Sequence, residues 1–276
     1  MLINNNDQLK QFFVKSQKDK IIGVDTEFYR VSTYDPKLCL LQFSNRSQIV
    51  IIDPLSKNID LKLIKKILFS KEILKIFHAA YQDIEIIFNL FGKIPKNIID
   101  IQICLTELGY PTSTGYAEAC KYLLSIKIDK KNQFIDWRKR PLNEEKIKYA
   151  CKDVKYLPDL YLKISEKINF ETNKNISSKH KKFLDIDAFK KKPERAWKKL
   201  KINETKKYEM KKLKEVCFLR EKIAKEFNVP VKKIISDQQI RSLCDKKIER
   251  KKKKEILKSV QSKTLKDKLF KNEFIY

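Results

Sequence analysis

The chain has 276 residues, 42% hydrophobic and 11% aromatic, enough for more than one compact unit. No apolar run reaches the roughly 18 to 20 residues of a membrane span. The polar opening MLINNNDQLKQFF lacks the apolar stretch of a secretion signal, so a cytoplasmic protein with no membrane partner is expected. Six scattered cysteines without a C-x-x-C pair, and only two histidines, argue against a disulfide framework or a zinc site. The net charge of +27 is unevenly spread: residues 1–160 hold 26 Lys+Arg against 19 Asp+Glu, and residues 161–276 hold 36 against 16. A polyanion is the expected partner of the C-terminal part. Only eight of the 62 basic residues are Arg, and an AT-rich coding sequence also raises Lys, Ile and Asn together.

After an amphipathic opening segment (Leu9, Phe12, Phe13), three strand-like runs follow at Ile21 to Thr26, Leu38 to Phe43 and Gln48 to Asp53. The turn chemistry between them (Tyr34-Asp35-Pro36, then Ser44 to Ser47) predicts a meander. Helical and strand patterns then alternate. Leu61 to Phe69 reads as helix, Ile73 to Phe77 as strand, Ile84 to Phe91 as helix and Ile98 to Ile101 as a short strand. Helices follow over Ile103 to Leu108 and Gly115 to Leu124. The longest is expected over Glu144 to about Ile164, with Pro141 ahead of it and acids in its first turn. This order predicts an α/β sheet with helices on its faces. The polar stretch Glu171 to His180 reads as a linker or solvated segment, and beyond it only helical spacing recurs: Tyr208 to Phe227, Ile234 to Leu243 and Ile256 to Leu269. A small all-α bundle is expected there.

Four pieces carry candidate chemistry. Asp25 and Glu27 end the first strand two residues apart, so both project from one face. Two such carboxylates repel unless a cation lies between them, and hard divalent ions favour all-oxygen ligands; a D-x-E pair is also common on surface strands. Asp83 falls in the opening turn of a helix, where an acid also favours the helix dipole. Tyr149 and Asp153 are four apart on one helical face, beside Tyr156, Leu157 and Leu160, and a buried Asp must be paired or bound to metal. Asp136-Trp137-Arg138-Lys139-Arg140-Pro141 is either a packed loop leading into that helix or a substrate contact.

Their order, D-x-E, then Asp 56 residues on, then Y-x-x-x-D, resembles the DEDD exonucleases with tyrosine at the fifth position. VDTEF, HAAYQDIE, DWRKRPL and YACKDVKYL resemble segments of the ribonuclease D family, in order and at fitting distances. Pro193 to Trp197 and Leu213 to Cys244 resemble that family's C-terminal helical domain, called HRDC. The resemblance implies a ribonuclease H-like mixed sheet flanked by helices over residues 1–168, a linker and connecting helix over 169–204, and an HRDC-like helical domain over 205–276. Two departures stand out: Asn132 to Ile135 precede Asp136 where the family has Ser, and Lys146 stands where Gln is expected. A second HRDC domain, frequent in the family, does not fit within 276 residues.

The resemblance also implies two divalent cations, Mg²⁺ or Mn²⁺. Asp25 would bridge them, Glu27 and Asp153 would complete the site of the attacking water, and Asp83 would support the second ion. Tyr149 would orient the water, its ordinary pKa near 10 making it a positioning group more than a base. Thr26 and Phe28 would contact the terminal nucleotide and Arg140 the phosphate backbone, while His78 either does the same or caps a buried network. The expected substrate is RNA, with tRNA precursors trimmed from the 3′ end to 5′-nucleoside monophosphates by a monomer. A 3′-5′ exonuclease on single-stranded DNA, and a non-catalytic nucleic-acid-binding protein of the same fold, are the alternatives.

Overall fold

The computed structural model describes every residue except 1, 4, 57, 129–135, 203–206 and 272–276. Its contacts divide the chain into two units, Met1–Tyr29 with Lys37–Phe189, and Arg30–Pro36 with Lys190–Tyr276.

The first unit is built on a six-stranded sheet. Its strands are β1 (Leu2–Ile3), β2 (Ile21–Tyr29), β3 (Lys37–Ser44), β4 (Ile49–Ile52), β5 (Leu74–Phe77) and β6 (Ile98–Asp100), in the order β1-β4-β3-β2-β5-β6. β2, β3 and β4 form the expected antiparallel meander. β5 and β6 add parallel to β2, and β1 adds parallel to β4. A mixed sheet whose strands are apolar on both sides must be covered on both faces. On one face α1 (Asn6–Asp19), α2 (Leu61–Leu68) and α3 (Tyr81–Phe91) bury Leu9, Phe12, Ile64, Ile67 and Ile84 against Val24, Phe43 and Phe77. On the other, Ile76 packs with residues of α4 (Ile101–Glu107), α5 (Tyr116–Leu124), α6 (Glu144–Lys155) and α7 (Leu157–Ser165).

Three expectations need correction. The long helix over Glu144 to Ile164 is two helices, parted at Tyr156 ahead of Pro158. Proline has no N–H and its ring crowds the carbonyl four residues back, here that of Val154. That carbonyl instead accepts from the Ser44 hydroxyl at 2.6 Å, and the Tyr156 amide donates to the Tyr116 hydroxyl at 2.9 Å. The stretch expected as a linker is the helix α8 (Phe170–Phe183), which buries Ile176 and His180. With the short helix α9 (Ile186–Phe189) it belongs to the first unit, so the boundary falls between Phe189 and Lys190. The helix expected over Ile256 to Leu269 is also two, α13 (Arg250–Ser259) and α14 (Lys263–Lys271).

The second unit is helical: a 3-10 helix (Pro193–Lys199), α10 (Met210–Glu226), α11 (Val231–Ile234), α12 (Asp237–Cys244), α13 and α14 around Leu213, Val216, Ile223, Ile240 and Leu257. Arg220 is buried there and paired with Asp237 at 2.6 Å. The β2–β3 loop belongs to this unit through Tyr34, whose hydroxyl is 2.6 Å from the Glu221 carboxylate. No described helix is long and apolar enough to cross a membrane.

Candidate active site

Asp25 and Glu27 project from the same side of β2, while Val24 and Thr26, on either side of Asp25 in sequence, are buried. Asp153 reaches them because α6 and α7 cross close over β2. The approach is possible only at Gly23, where an added Cβ would stand 2.6 Å from Ser44 Oγ, 2.8 Å from Leu157 Cβ and 3.0 Å from the Val154 oxygen. The break at Tyr156 and the missing side chain at Gly23 thus bring the end of α6 onto the strand. Carboxylate oxygens of Asp25, Glu27 and Asp153 consequently lie within 4.8 Å of one another.

Asp83, on the first turn of α3, stands outside that trio. It is 6% exposed and accepts a short hydrogen bond from the Thr26 hydroxyl, which ties α3 to the middle of β2. Its charge nonetheless reaches Asp25: burial, then Asp83, Glu27 and Asp153 in turn, push Asp25 well above the ordinary carboxylate range. Burial and the charges of Asp153 and Asp83 push Glu27 up to about 9. Burial raises Asp83 to about 7 against the opposing Thr26 hydrogen bond, and Asp153 to about 6 against the Tyr149 hydroxyl. Four acids crowded in this way favour a cation among them. An all-carboxylate donor set fits a hard divalent cation and does not suit a soft metal.

Tyr149 lies one turn before Asp153 on α6, near enough for each to shift the other's titration. Its ring sits 6.0 Å from that of Trp137, which is 5% exposed. Burial, then the charges of Asp153 and Glu27, raise the phenol above its ordinary 10. It stays protonated and can donate.

The expected substrate contacts fare differently. Thr26 is occupied by Asp83. Phe28 is half-buried just past an irregularity in the β2–β3 register between Glu27 and Phe28, beside the carboxylates. His78 places Nε2 3.1 Å from the Thr114 carbonyl and its ring edge-on to Tyr116, and burial is the largest influence lowering it below 6.5. These contacts place it in a buried network.

Arg140 requires correction. Its guanidinium forks onto Asp53 at 2.6 and 2.7 Å and donates to the carbonyls of Trp137, Lys139 and Cys39. All its donors face protein, so it holds the loop before α6 to the end of β4 and is not poised for phosphate. Lys146, in the position expected for Gln, reaches the Asp136 carbonyl at 3.2 Å and supports the same loop. Asn132 to Ile135 lie outside the described residues. Sequence reasoning missed Asp53 as the partner of Arg140 and Tyr29 as the ring on which Arg138 stacks at 3.5 Å. Neither partner is near in sequence, and neither carries a local signal.

A family model described as 3′-5′ exonuclease matches residues 1–169. The chain is 35% identical over 240 residues to the ribonuclease D of Bartonella henselae, covering 86% of this chain and 59% of that one. It is 34% identical over 246 residues to the ribonuclease D of Sphingobium indicum, covering 88% and 63%. The chain therefore spans about three fifths of the length of these relatives. Among solved structures, that of Escherichia coli RNase D, described as an exoribonuclease involved in structured RNA processing, superposes with a TM-score of 0.84 at 25% identity, over 100% of this chain and 74% of that one. The mixed sheet, the carboxylates at the end of β2 and on α6, and the match over residues 1–169 agree: the chain belongs to the 3′-5′ exonuclease family.

Proposed function

We propose that the protein is a 3′-5′ exoribonuclease that removes 5′-nucleoside monophosphates one at a time and trims the 3′ ends of tRNA precursors in the cytoplasm, as a monomer. One observation carries this reading: Asp25, Glu27 and Asp153 converge within 4.8 Å, with Tyr149 one turn before Asp153 on α6. The RNA substrate class is supported by similarity to ribonuclease D proteins and to a structure described as acting on structured RNA.

Asp25, Glu27 and Asp153 would hold one divalent cation, and Asp83 would support a second. Such ions, when bound, make water a nucleophile near neutral pH and stabilise the leaving oxygen. The chain's own residues do the rest. Tyr149, one turn before Asp153 on α6, would align the attacking water through its hydroxyl, as a positioning group more than a base. Thr26 fixes the Asp83 carboxylate. Phe28, next to Glu27, offers a flat apolar face to the terminal base. Water oxygen bonds to phosphorus, the bond to the penultimate 3′-oxygen breaks, and that oxygen leaves protonated as the new 3′ end.

The second unit is proposed as an HRDC-like domain whose lysines add sequence-independent affinity for structured RNA. Matched RNA and DNA oligonucleotides, incubated with Mg²⁺ or Mn²⁺ and resolved for released mononucleotides, test the substrate class. Release of ribonucleotides well ahead of deoxyribonucleotides is expected; preferential DNA cleavage would overturn the assignment, and binding without release would show a protein that only binds.

A further inference from the structure

The helix that carries Asp83 has no cap of its own. α3 begins after Ala80, whose side chain cannot accept a hydrogen bond, yet the first amides of a helix need acceptors. The two amides that lead into α3, those of Ala79 and Ala80, find acceptors on another element. The Asp100 carboxylate, at the end of β6, accepts from the Ala79 amide at 3.0 Å through Oδ1 and from the Ala80 amide at 2.9 Å through Oδ2. The same Oδ1 accepts from Gln102 at 2.8 Å, capping α4. One carboxylate, 2% exposed, thus caps α4 and holds the entry to α3. It also supports a backbone shape that a residue with a Cβ adopts rarely, since Ala79 sits at a φ of 55°.

Asp100 is held in turn from α8. Its own amide donates to His180 Nε2 at 2.7 Å, and His180 Nδ1 lies 3.0 Å from the Ile176 carbonyl. An amide donor on one side and a carbonyl on the other define the ring: Nε2 accepts and Nδ1 carries the proton. His180 is 7% exposed and lies beyond residue 169, where the match to the family ends.

We infer that Asp100 and His180 are positioning residues: His180 fixes the end of β6, Asp100 holds from there the two amides that lead into α3, and that hold sets where Asp83 stands relative to Thr26 and Asp25. The inference rests on the proposed activity. Groups that orient metal ligands from one layer behind them typically matter by about 10- to 100-fold in metal affinity or rate.

The test uses the full chain with His180→Leu, which removes the acceptor, and His180→Gln, whose side-chain oxygen can reach the same amide. Mn²⁺ affinity by calorimetry, kcat and KM on a short ribooligonucleotide, and Tm are measured for each. His180→Leu is expected to lose roughly 10- to 100-fold in Mn²⁺ affinity and in kcat with KM unchanged, and His180→Gln to recover most of both. A folded His180→Leu protein with wild-type Mn²⁺ affinity and kcat overturns the inference. So does an equal loss in both variants that follows Tm alone. If His180→Leu does not fold, Asp100→Asn substitutes for it, turning an amide group toward one of the three backbone donors; the same loss is expected, and wild-type behaviour overturns the proposal. Failure of the activity itself shows in the wild type as absent cleavage, and there the Mn²⁺ affinities still report on the positioning role. A wild type that binds no Mn²⁺ overturns both.

Discussion

In the metal-free protein, Glu27 is held with its pKa at about 9 by burial and by the charges of Asp153 and Asp83. In the unfolded chain it returns to its ordinary 4.5. The sign follows from proton linkage: between these values the folded state binds the proton more tightly, so stability is present at low pH and falls as pH rises. Accumulated from pH 4.5 to about pH 7, at 1.36 kcal/mol per unit, the penalty is on the order of 3 kcal/mol. Glu27→Gln keeps the shape and removes the titrating group. In EDTA at about pH 7 it should raise Tm by roughly 6 to 12 °C, taking about 2 to 4 °C per kcal/mol for a unit of this size. At about pH 5 the gain should nearly vanish. Exonuclease activity should be lost in the same variant. Thermal unfolding followed by circular dichroism, with and without Mg²⁺, reads all of this; Mg²⁺ should stabilise the wild type more than the variant. An unchanged or lower Tm for metal-free Glu27→Gln, or a gain independent of pH, would refute the electrostatic reasoning.

Other expectations follow from single contacts. Arg140→Ala strands the half-buried Asp53 and should cost about 1 to 3 kcal/mol in thermal unfolding; its RNA salt slope should equal that of the wild type, and a shallower slope would restore a phosphate contact. Gly23→Ala drives a methyl group into Ser44, Leu157 and the Val154 carbonyl. It should cost roughly 1 to 3 kcal/mol and lower kcat as α6 moves off β2; wild-type Tm and kcat would mean that α6 is not held by this approach. Tyr149→Phe should lower kcat by roughly 10²-fold while leaving KM and Mn²⁺ binding intact, and loss of Mn²⁺ binding would make Tyr149 a support of Asp153 instead. Reversing the exposed Lys251, Lys252 and Lys254 of α13 to Glu should weaken binding of structured RNA and flatten its salt dependence, with little change on short oligonucleotides. Equal loss on both substrates would contradict the proposed role of the helical unit.

Much of the site was legible because its parts obey local rules. Alternation along β2 puts Asp25 and Glu27 on one side, and a four-residue step on α6 puts Tyr149 beside Asp153. The order of the segments did the rest. What escaped is non-local or disguised. The polar composition of Glu171 to His180 suggests a linker; among the described side chains of α8, Ile176 and His180 are buried and anchor it without forming an apolar stripe. The break at Tyr156 was visible in Pro158 but was overridden by the apolar spacing that continues across it. Arg140 pairs with an acid 87 residues away, and no local pattern announces such a partner. Asp100 caps α4 locally, but its hold on the Ala79 and Ala80 amides ahead of α3 joins distant parts of the chain, and no local pattern announces it.

The most direct measurement is a time course on a 5′-labelled tRNA precursor with a short 3′ extension, run in Mg²⁺, Mn²⁺ or EDTA, with Asp25→Asn alongside. A ladder shortening from the 3′ end in either metal, absent in EDTA and in Asp25→Asn, is the predicted result. Cleavage that persists in EDTA or in Asp25→Asn, or an intact precursor in both metals, would contradict it.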